Sequence, residues 1–228
     1  MILTLHDVLD RPAVSRARAL LAQASWADGN ITAGAQAAQM KNNWQLPEST
    51  RQLPELRRLV MDALGRHAMF FSVALPRVVF PPLFNRYSGE KNAFGDHVDG
   101  AIRYLPESRI AVRTDLSMTL FLSEPEEYDG GELVFHLGSK QHRIKDAAGS
   151  LVLYPSTTVH RVEPVTRGER LACFTWIQSL VRGAEHRALL HELDVALLSV
   201  RSRLGDTDPA SIALTGCYHN LLRSWAEA

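Results

Sequence analysis

A series of short apolar segments, separated by turn residues, dominates the middle of this chain of 228 residues. The separators include Asp129-Gly130-Gly131 and Arg167-Gly168, which are typical of tight turns. Short strands at this spacing are typical of an antiparallel sandwich or barrel. The segments that we predict to be strands are 115–122, 131–137, 141–145, 150–154, 159–165 and 169–179.

Helical periodicity flanks this β-rich region on both sides. Apolar residues recur every three or four positions, and Asp10 and Asp208 are suitable caps for two of the helices. The predicted helical segments are 11–24, 54–67, 184–203 and 208–225. We therefore expect a mainly β protein with flanking helices, divided into N-terminal buttressing helices (1–75), a β core (76–181) and a small helical C-terminal unit (182–228).

The charge balance restricts the possible partners. Lys and Arg together number 25, as do Asp and Glu, so the formal net charge is zero. Because proteins that bind nucleic acids or membrane surfaces favour a basic excess, we expect neither kind of partner. No apolar run approaches the ~20 residues of a spanning helix, and the N-terminus lacks the basic and apolar regions of a signal peptide. The two cysteines, Cys173 and Cys217, do not form a disulfide framework, so we expect a cytoplasmic protein.

A metal-binding pattern precedes the strand series. His97 and Asp99 stand two positions apart, so in a strand their side chains would project from the same face. A distant imidazole would complete the two-histidine, one-carboxylate triad of non-haem Fe(II) oxygenases, and His160 is the candidate. Such a triad occupies one face of the metal and leaves three coordination positions open.

An arginine follows the second histidine. Arg170 stands ten positions after His160, at the start of the last predicted strand, on the same face as Trp176. Because a buried arginine without a partner is costly, Arg170 either lies at a solvated strand end or meets an anion inside the barrel.

The stretch 100–114 follows the predicted carboxylate ligand and is interpreted as a surface loop. It carries three arginines against one acid, namely Arg103, Arg109 and Arg113 against Glu107. Loops on a rigid scaffold often carry binding function, and arginine suits carboxylate recognition. Our hypothesis is that this loop closes over an anionic small-molecule substrate, such as an amino-acid or siderophore-derived carboxylate. A second polar cluster, Lys41-Asn42-Asn43-Trp44, could be a loop near a site, but we interpret it as a plain surface connection.

The run that carries these residues resembles the Fe(II)- and 2-oxoglutarate-dependent dioxygenases of the prolyl 4-hydroxylase type, and more closely the bacterial PKHD-type hydroxylases. The resemblance covers essentially the whole chain and is tightest over 77–180. It implies a double-stranded β-helix, or jelly-roll, core with the metal near one open end, and residues 182–228 match the helical C-terminal domain of the family. It further implies substrate hydroxylation with succinate and CO2 as co-products, and a link to iron or siderophore metabolism.

The resemblance also implies roles for individual residues. His97, Asp99 and His160 match the iron ligands, and Arg170 matches the residue that binds the distal carboxylate of 2-oxoglutarate. Tyr87 matches a tyrosine that contacts this co-substrate. A second family tyrosine aligns with Phe121, which has no hydroxyl, and Thr119 is the candidate to replace it. Ascorbate is implied as the reductant of the iron.

Two other classes of protein stay open on the residues alone. A cupin-like metalloenzyme using Zn or Mn usually needs three histidines and would give Arg170 no role. A non-catalytic sensor of iron or 2-oxoglutarate would use the same residues and release no succinate. The C-terminal unit has too few residues to bury a core of its own. We therefore expect it to pack on the barrel or on another subunit, and we predict a homo-oligomer.

Overall fold

The computed structural model describes residues 1–32 and 35–227. Its helices are α1 (Arg11–Ala22), α2 (Ala35–Met40), α3 (Leu53–Arg66), α4 (Ala68–Ala74), α5 (Ala184–Leu204) and α6 (Pro209–Trp225), with 3-10 turns at Gly29–Thr32 and Pro125–Glu127. None of the helices in this described part of the chain is long and apolar enough to cross a membrane.

The described residues also form seventeen strands. They are β1 (Leu3–Leu5), β2 (Ala27–Asp28), β3 (Lys41–Asn42), β4 (Trp44–Gln45), β5 (Pro76–Val79), β6 (Leu83–Tyr87), β7 (Ala93–His97), β8 (Ile102–Tyr104), β9 (Ala111–Arg113), β10 (Leu116–Phe121), β11 (Tyr128–Gly130), β12 (Leu133–Leu137), β13 (Lys140–Ile144), β14 (Leu151–Pro155), β15 (His160–Val162), β16 (Val165–Gly168) and β17 (Arg170–Ser179).

Two antiparallel sheets form the core. The larger sheet has eight strands in the order β1-β14-β10-β17-β6-β4-β2, with β5 also paired to β17. The smaller sheet has five strands in the order β13-β12-β15-β7-β3. Two short ribbons, β11-β16 and β8-β9, extend this core. The predicted mainly β, jelly-roll architecture with flanking helices is therefore confirmed.

The larger sheet is buried on both faces because its strands alternate between two apolar clusters. On β10, Met118 and Leu120 pack under the N-terminal helices α1, α3 and α4. On the same strand, Phe121 belongs to the cluster between the two sheets. Strand β14 divides its residues in the same way, with Leu153 outside and Tyr154 inside. The helical cover thus stabilises the sheet, and the inner face remains available for a site.

The helices begin and end where their capping residues allow. Asp10 caps α1 by accepting a hydrogen bond from the Ala13 amide at 2.8 Å, and Pro12 suits the first turn. The predicted helix from Pro54 to His67 ends on His67, whose ring nitrogen accepts from the Phe70 amide and caps a separate helix, α4. The N-terminal region also contributes strands, since β1 pairs with β14 and both β3 and β4 extend the sheets.

Two interpretations of connecting segments need correction: 100–114 lies mostly at the surface but is not an irregular loop, and 41–44 is not a plain surface connection. The stretch 100–114 is a β-hairpin, β8-β9, in which Arg103 pairs with the buried Val112. Lys41 and Asn43 are buried, because the chain around them forms two short strands that pair with β7 and β6. The predicted strand 159–165 is also divided, and Pro164 separates β15 from β16.

The C-terminal unit packs against its own chain. Helices α5 and α6 form an apolar cluster with Leu75, which follows α4, and with Val181, which follows β17. Ser72 on α4 forms a buried 2.9 Å hydrogen bond with His191 on α5. The unit therefore packs on its own chain, as one of the two expected alternatives, while apolar residues such as Leu198 and Ile212 remain exposed. The homo-oligomer stays a prediction.

The contact between the C-terminal unit and the core can be tested with two adjacent leucines. Leu190 is 0% exposed in the cluster, whereas Leu189 is 54% exposed. We expect Leu190→Ala to lower the free energy of unfolding by about 2–5 kcal/mol, because a large buried side chain is removed. Leu189→Ala should change it by less than about 0.5 kcal/mol. Urea titration followed by circular dichroism measures both, and equal effects would contradict the packing described.

Candidate metal and co-substrate site

The register between β7 and β15 brings the predicted metal ligands together. His97 is directly opposite His160 in this antiparallel pair, and the two ring centroids are 4.2 Å apart. Asp99 follows two residues after His97, and its Oδ2 lies 3.8 Å from Nε2 of His160. Ligand atoms of the three side chains all lie within 4.8 Å of one another. Residues from two distant parts of the sequence therefore form one compact cluster.

Backbone carbonyls orient both imidazoles. Nδ1–H of His97 donates to the carbonyl of Gly95 at 2.8 Å, and Nδ1–H of His160 donates to the carbonyl of Thr158 at 2.9 Å. Because a carbonyl can only accept, the hydrogen must be on Nδ1 in each ring. Nε2 of each ring is therefore unprotonated, as a metal ligand must be, and such carbonyl bonds typically orient metal-binding histidines.

The carboxylate has its own support from the neighbouring strand. Ser117 on β10 donates to Oδ2 of Asp99 at 2.6 Å. The hydroxyls of Ser117 and Ser156 are also 2.6 Å apart. This pair of serines holds the carboxylate in place, and neither serine was predicted as a site residue from the sequence.

The imidazole of His97 is kept in the neutral form that binds metals. Burial, followed by the charge of His160, lowers the pKa of His97 to about 4. The ring of Phe94 stacks on it with a centroid distance of 3.6 Å and an interplanar angle of 10°. Two neutral imidazoles and one carboxylate match the donor set that Fe(II) oxygenases use, so these residues fit a bound Fe(II).

Arg170 is buried at the first position of β17. It is 1% exposed, and its Nε and Nη2 atoms have no hydrogen-bond partner among the described residues. The guanidinium carbon lies 5.3 Å from the ring centroids of both Tyr87 and Phe121. Because leaving such donors unsatisfied is costly, the position fits a bound anion, which decides between the two sequence-based alternatives.

Gly131 makes room for this arginine. A Cβ atom at Gly131 would lie 3.1 Å from Cδ of Arg170 and 2.9 Å from Cε2 of Tyr128. Its φ of +69° is also a conformation that favours glycine. Gly131 therefore leaves space for the side chains of Arg170 and Tyr128, in addition to its place in the predicted turn.

The metal cluster and Arg170 line a single cavity of about 440 Å³. Tyr87 and Thr119, the predicted co-substrate contacts, line the same cavity. The lining also includes Asn85 and Tyr154, which sequence reasoning missed, and Lys41 and Asn43, for which we had preferred the surface interpretation over a loop near a site. The Tyr154 hydroxyl lies 3.3 Å from Nε2 of His160, and burial raises the pKa of this phenol.

Of the three arginines in the predicted substrate loop, the structure brings one to the cavity. Arg103 lines it, with its guanidinium carbon 3.8 Å from the centroid of Trp176. Arg109 is exposed in the turn of the hairpin. Arg113 forms ion pairs with Asp115 at 2.7 Å and with Glu227 at 2.9 Å, so it joins the hairpin to the C-terminus instead.

The chain matches two family models and a full-length relative. Residues 82–178 match the 2OG-Fe(II) oxygenase superfamily, and residues 185–227 match the PKHD-type hydroxylase C-terminal domain. A PKHD-type hydroxylase of Nitrosomonas europaea is 56% identical over 228 residues, with all of both chains covered. Another from Variovorax paradoxus is 52% identical, again over the whole of both chains.

Solved structures share the fold. A prolyl hydroxylase of Trichoplax adhaerens aligns with a TM-score of 0.53 at 12% identity, covering 82% of this chain and 86% of that one. HygX from Streptomyces hygroscopicus, solved with nickel, 2-oxoglutarate and hygromycin B bound, aligns with a TM-score of 0.53 at 14% identity, covering 78% and 82%. At these identities the likeness supports the architecture alone.

Replacing the distal histidine tests the metal cluster. We expect His160→Ala to lower Fe(II) affinity by more than about 100-fold, a larger effect than the loss of an outer supporting group. His142→Ala, which removes an exposed histidine of β13, should leave the affinity unchanged. Anaerobic Fe(II) titration measures both, with circular dichroism as a check of folding. Unaltered Fe(II) binding in the His160 variant would exclude it as a ligand.

The supporting serine gives a separate prediction. Because Ser117 donates to Asp99, we expect Ser117→Ala to weaken Fe(II) binding by about 10–100-fold while the protein remains folded. Ser139→Ala removes an exposed hydroxyl from the turn between β12 and β13 and is the matched control. The same titration serves for both variants, and equal affinities would show that Asp99 does not depend on this bond.

Proposed function

This chain belongs to the PKHD-type hydroxylases, a family of Fe(II)- and 2-oxoglutarate-dependent dioxygenases, and we propose that it hydroxylates a C–H bond of a small molecule. The observation that carries the proposal is the shared cavity of the metal cluster and Arg170. His97, Asp99 and His160 are proposed to hold Fe(II), and Arg170 to bind the distal carboxylate of 2-oxoglutarate.

The bound iron supplies the chemistry in which O2 oxidises two substrates together. 2-Oxoglutarate loses CO2 and becomes succinate with one oxygen atom, and the second oxygen atom enters the C–H bond as a hydroxyl group. The chain's own residues position the reactants. Carbonyls of Gly95 and Thr158 hold the imidazole protons away from the metal, and Ser117 holds the carboxylate.

The deep end of the cavity suits the co-substrate. Arg170 offers a planar fork that pairs with a carboxylate through two parallel hydrogen bonds. Tyr87 lies opposite it on β6 and is buried, so its phenol is placed to contact the same ligand. Thr119 lines the cavity from β10, which pairs with β17 on the side away from β6, and its hydroxyl lowers the pKa of the Tyr154 phenol against the larger effect of burial. These contacts also surround the ligand with buried walls that exclude water.

The finer parts of the proposal rest on the resemblance to the family. Ascorbate is proposed as the reductant that returns oxidised iron to Fe(II). We also propose that the substrate belongs to iron or siderophore metabolism. The cytoplasmic location also stays a prediction from the sequence.

The alternatives differ in what they need from the site. A cupin-like hydrolase would leave Arg170 without a role, whereas this arginine is buried in the metal cavity. A sensor of iron or 2-oxoglutarate would use the same residues without turnover. We therefore propose anaerobic titration with Fe(II) and 2-oxoglutarate, followed by succinate measurement in air.

For an oxygenase we expect a weak visible charge-transfer band in the absence of O2 and succinate in its presence. The band without succinate would indicate a sensor, and neither signal would overturn the proposal. His160→Ala, tested in parallel, should show neither.

Arg170→Met tests whether this arginine binds the distal carboxylate of 2-oxoglutarate. Losing one partner of a buried charge pair costs about 2–5 kcal/mol, so the Kd of 2-oxoglutarate should rise by at least about 30-fold. Fe(II) affinity should persist, because the arginine is not a ligand. Arg167→Met, which removes an exposed arginine paired with Asp129, is the control. The charge-transfer band measures both affinities, and an unchanged value for 2-oxoglutarate would make Arg170 a structural residue.

A further inference from the structure

We propose that Tyr154 is a further co-substrate-binding residue, whose phenol donates a hydrogen bond to the end of 2-oxoglutarate that the metal binds. This inference rests on the proposed function, since it concerns the co-substrate of the same site. Sequence reasoning assigned contacts with the co-substrate to Tyr87, Thr119 and Arg170, and it did not single out Tyr154.

The phenol is the donor in its hydrogen bond with His160. Nδ1–H of His160 donates to the carbonyl of Thr158 at 2.9 Å, so Nε2 of this ring carries a lone pair and no hydrogen. The hydroxyl of Tyr154 lies 3.3 Å from this nitrogen, and only its O–H can supply the hydrogen of the bond. The phenol of Tyr154 therefore uses the lone pair through which His160 would bind a metal ion.

A metal ion and the phenol compete for this lone pair. Nε2 of His160 lies 3.8 Å from Oδ2 of Asp99, and both residues belong to the metal cluster. Once a metal ion takes the lone pair, the O–H of Tyr154 needs another acceptor. Tyr154 is 4% exposed, and a buried donor that is left without a partner is costly. The site with its metal bound must therefore offer the phenol an acceptor.

The packing of its ring holds the phenol beside the metal cluster. The ring of Tyr154 packs edge-on against Phe135 at a centroid distance of 4.8 Å and against His160 at 4.9 Å. On β14 the residue pairs with Ser117 of β10, the serine that is bonded to Asp99. The hydroxyl hydrogen can rotate about the C–O bond, whereas the oxygen atom stays in place. The new acceptor must therefore lie close to Nε2 of His160.

The neighbouring hydroxyl of Thr119 leaves the phenol hydrogen available. Burial, followed by the charge of Asp99, raises the pKa of Tyr154 well above its usual value, and the hydroxyl of Thr119 acts in the opposite direction. A hydroxyl that lowers the pKa of a phenol in this way donates to the phenol oxygen. Thr119 is therefore a donor to Tyr154, and the phenol hydrogen remains for a different acceptor.

The co-substrate supplies that acceptor. Tyr154, Tyr87 and Arg170 line one cavity with the metal cluster, and the two tyrosines belong to the same interior cluster. Arg170 is proposed to bind the distal carboxylate of 2-oxoglutarate, which leaves the 1-carboxylate and the 2-oxo group for the metal. The oxygen atoms of these two groups accept hydrogen bonds and cannot donate them, so either one suits the O–H of Tyr154.

The test compares the wild type with Tyr154→Phe, both as anaerobic full-length proteins with Fe(II) and 2-oxoglutarate. Phenylalanine keeps the ring that packs on Phe135 and removes the donor, and circular dichroism checks the folding. We expect the Kd of 2-oxoglutarate to rise by at least about fivefold, because one hydrogen bond to this ligand is lost. The charge-transfer band should also move, because it arises from electron transfer from the iron to the 2-oxo group.

The direction of the band shift identifies the acceptor. Loss of a donor to the 2-oxo oxygen makes that group harder to reduce and moves the band to higher energy. Loss of a donor to the 1-carboxylate makes this group a stronger electron donor to the iron and moves the band to lower energy. The matched control is Tyr218→Phe, which removes the hydroxyl of a buried tyrosine in the C-terminal apolar cluster and should change neither the Kd nor the band.

Failure of this inference and failure of the proposed function give different results. Absence of the charge-transfer band in the wild type would remove the proposed function. A normal band in the wild type, with the same band position and the same Kd of 2-oxoglutarate in Tyr154→Phe, would overturn the role of Tyr154 alone. Weaker Fe(II) binding by Tyr154→Phe with an unshifted band would also overturn it, because the phenol would then serve only to orient His160.

Discussion

The antiparallel pairing of β7 with β15 is the constraint on which the rest of the site depends. It sets His97 opposite His160, and the chain after β7 then brings Asp99 to the same point. Because strand side chains alternate between faces, a slip of one residue would turn a histidine to the other side of the sheet. The interior cluster of Phe135, Tyr154 and Val162 packs against this pairing and specifies its register. Packing of the inner core is therefore a condition for metal binding.

Because side chains alternate along each strand, one face of the larger sheet packs into the apolar core and the other face lines the cavity. The outward residues of β10, β14 and β17 join the apolar cluster under the N-terminal helices. The inward residues Ser117, Thr119 and Arg170 line the cavity. Arg170 is buried with N–H donors that lack a partner among the described residues, which is costly. Apolar packing on the opposite face of the same sheet offsets this cost.

Residue types and their spacing made the metal cluster and Arg170 predictable from the sequence. Other residues of the site were missed because their positions depend on pairing between distant segments. The positions of His97, Asp99, His160 and Arg170 follow from residue type and from the series of strands. Lys41 was placed on the surface because a short polar segment gives no sign of the strand it will pair with. The hairpin β8-β9 was missed since its strands have three residues each and their exposed sides are apolar. The role of Arg113 depends on Glu227, more than a hundred residues away, which no local pattern reveals.

The salt bridge between Arg113 and Glu227 joins the last residues of the chain to the hairpin that carries Arg103. Glu227 is also bound through its amide to the carbonyl of Leu180, at the end of β17. The hairpin that contributes Arg103 to the cavity wall is thus tied to the C-terminal helices and to the end of β17. A change in the helical domain can therefore reach the wall of the cavity through one ion pair and one backbone hydrogen bond, without passing through the strands that carry His97 and His160.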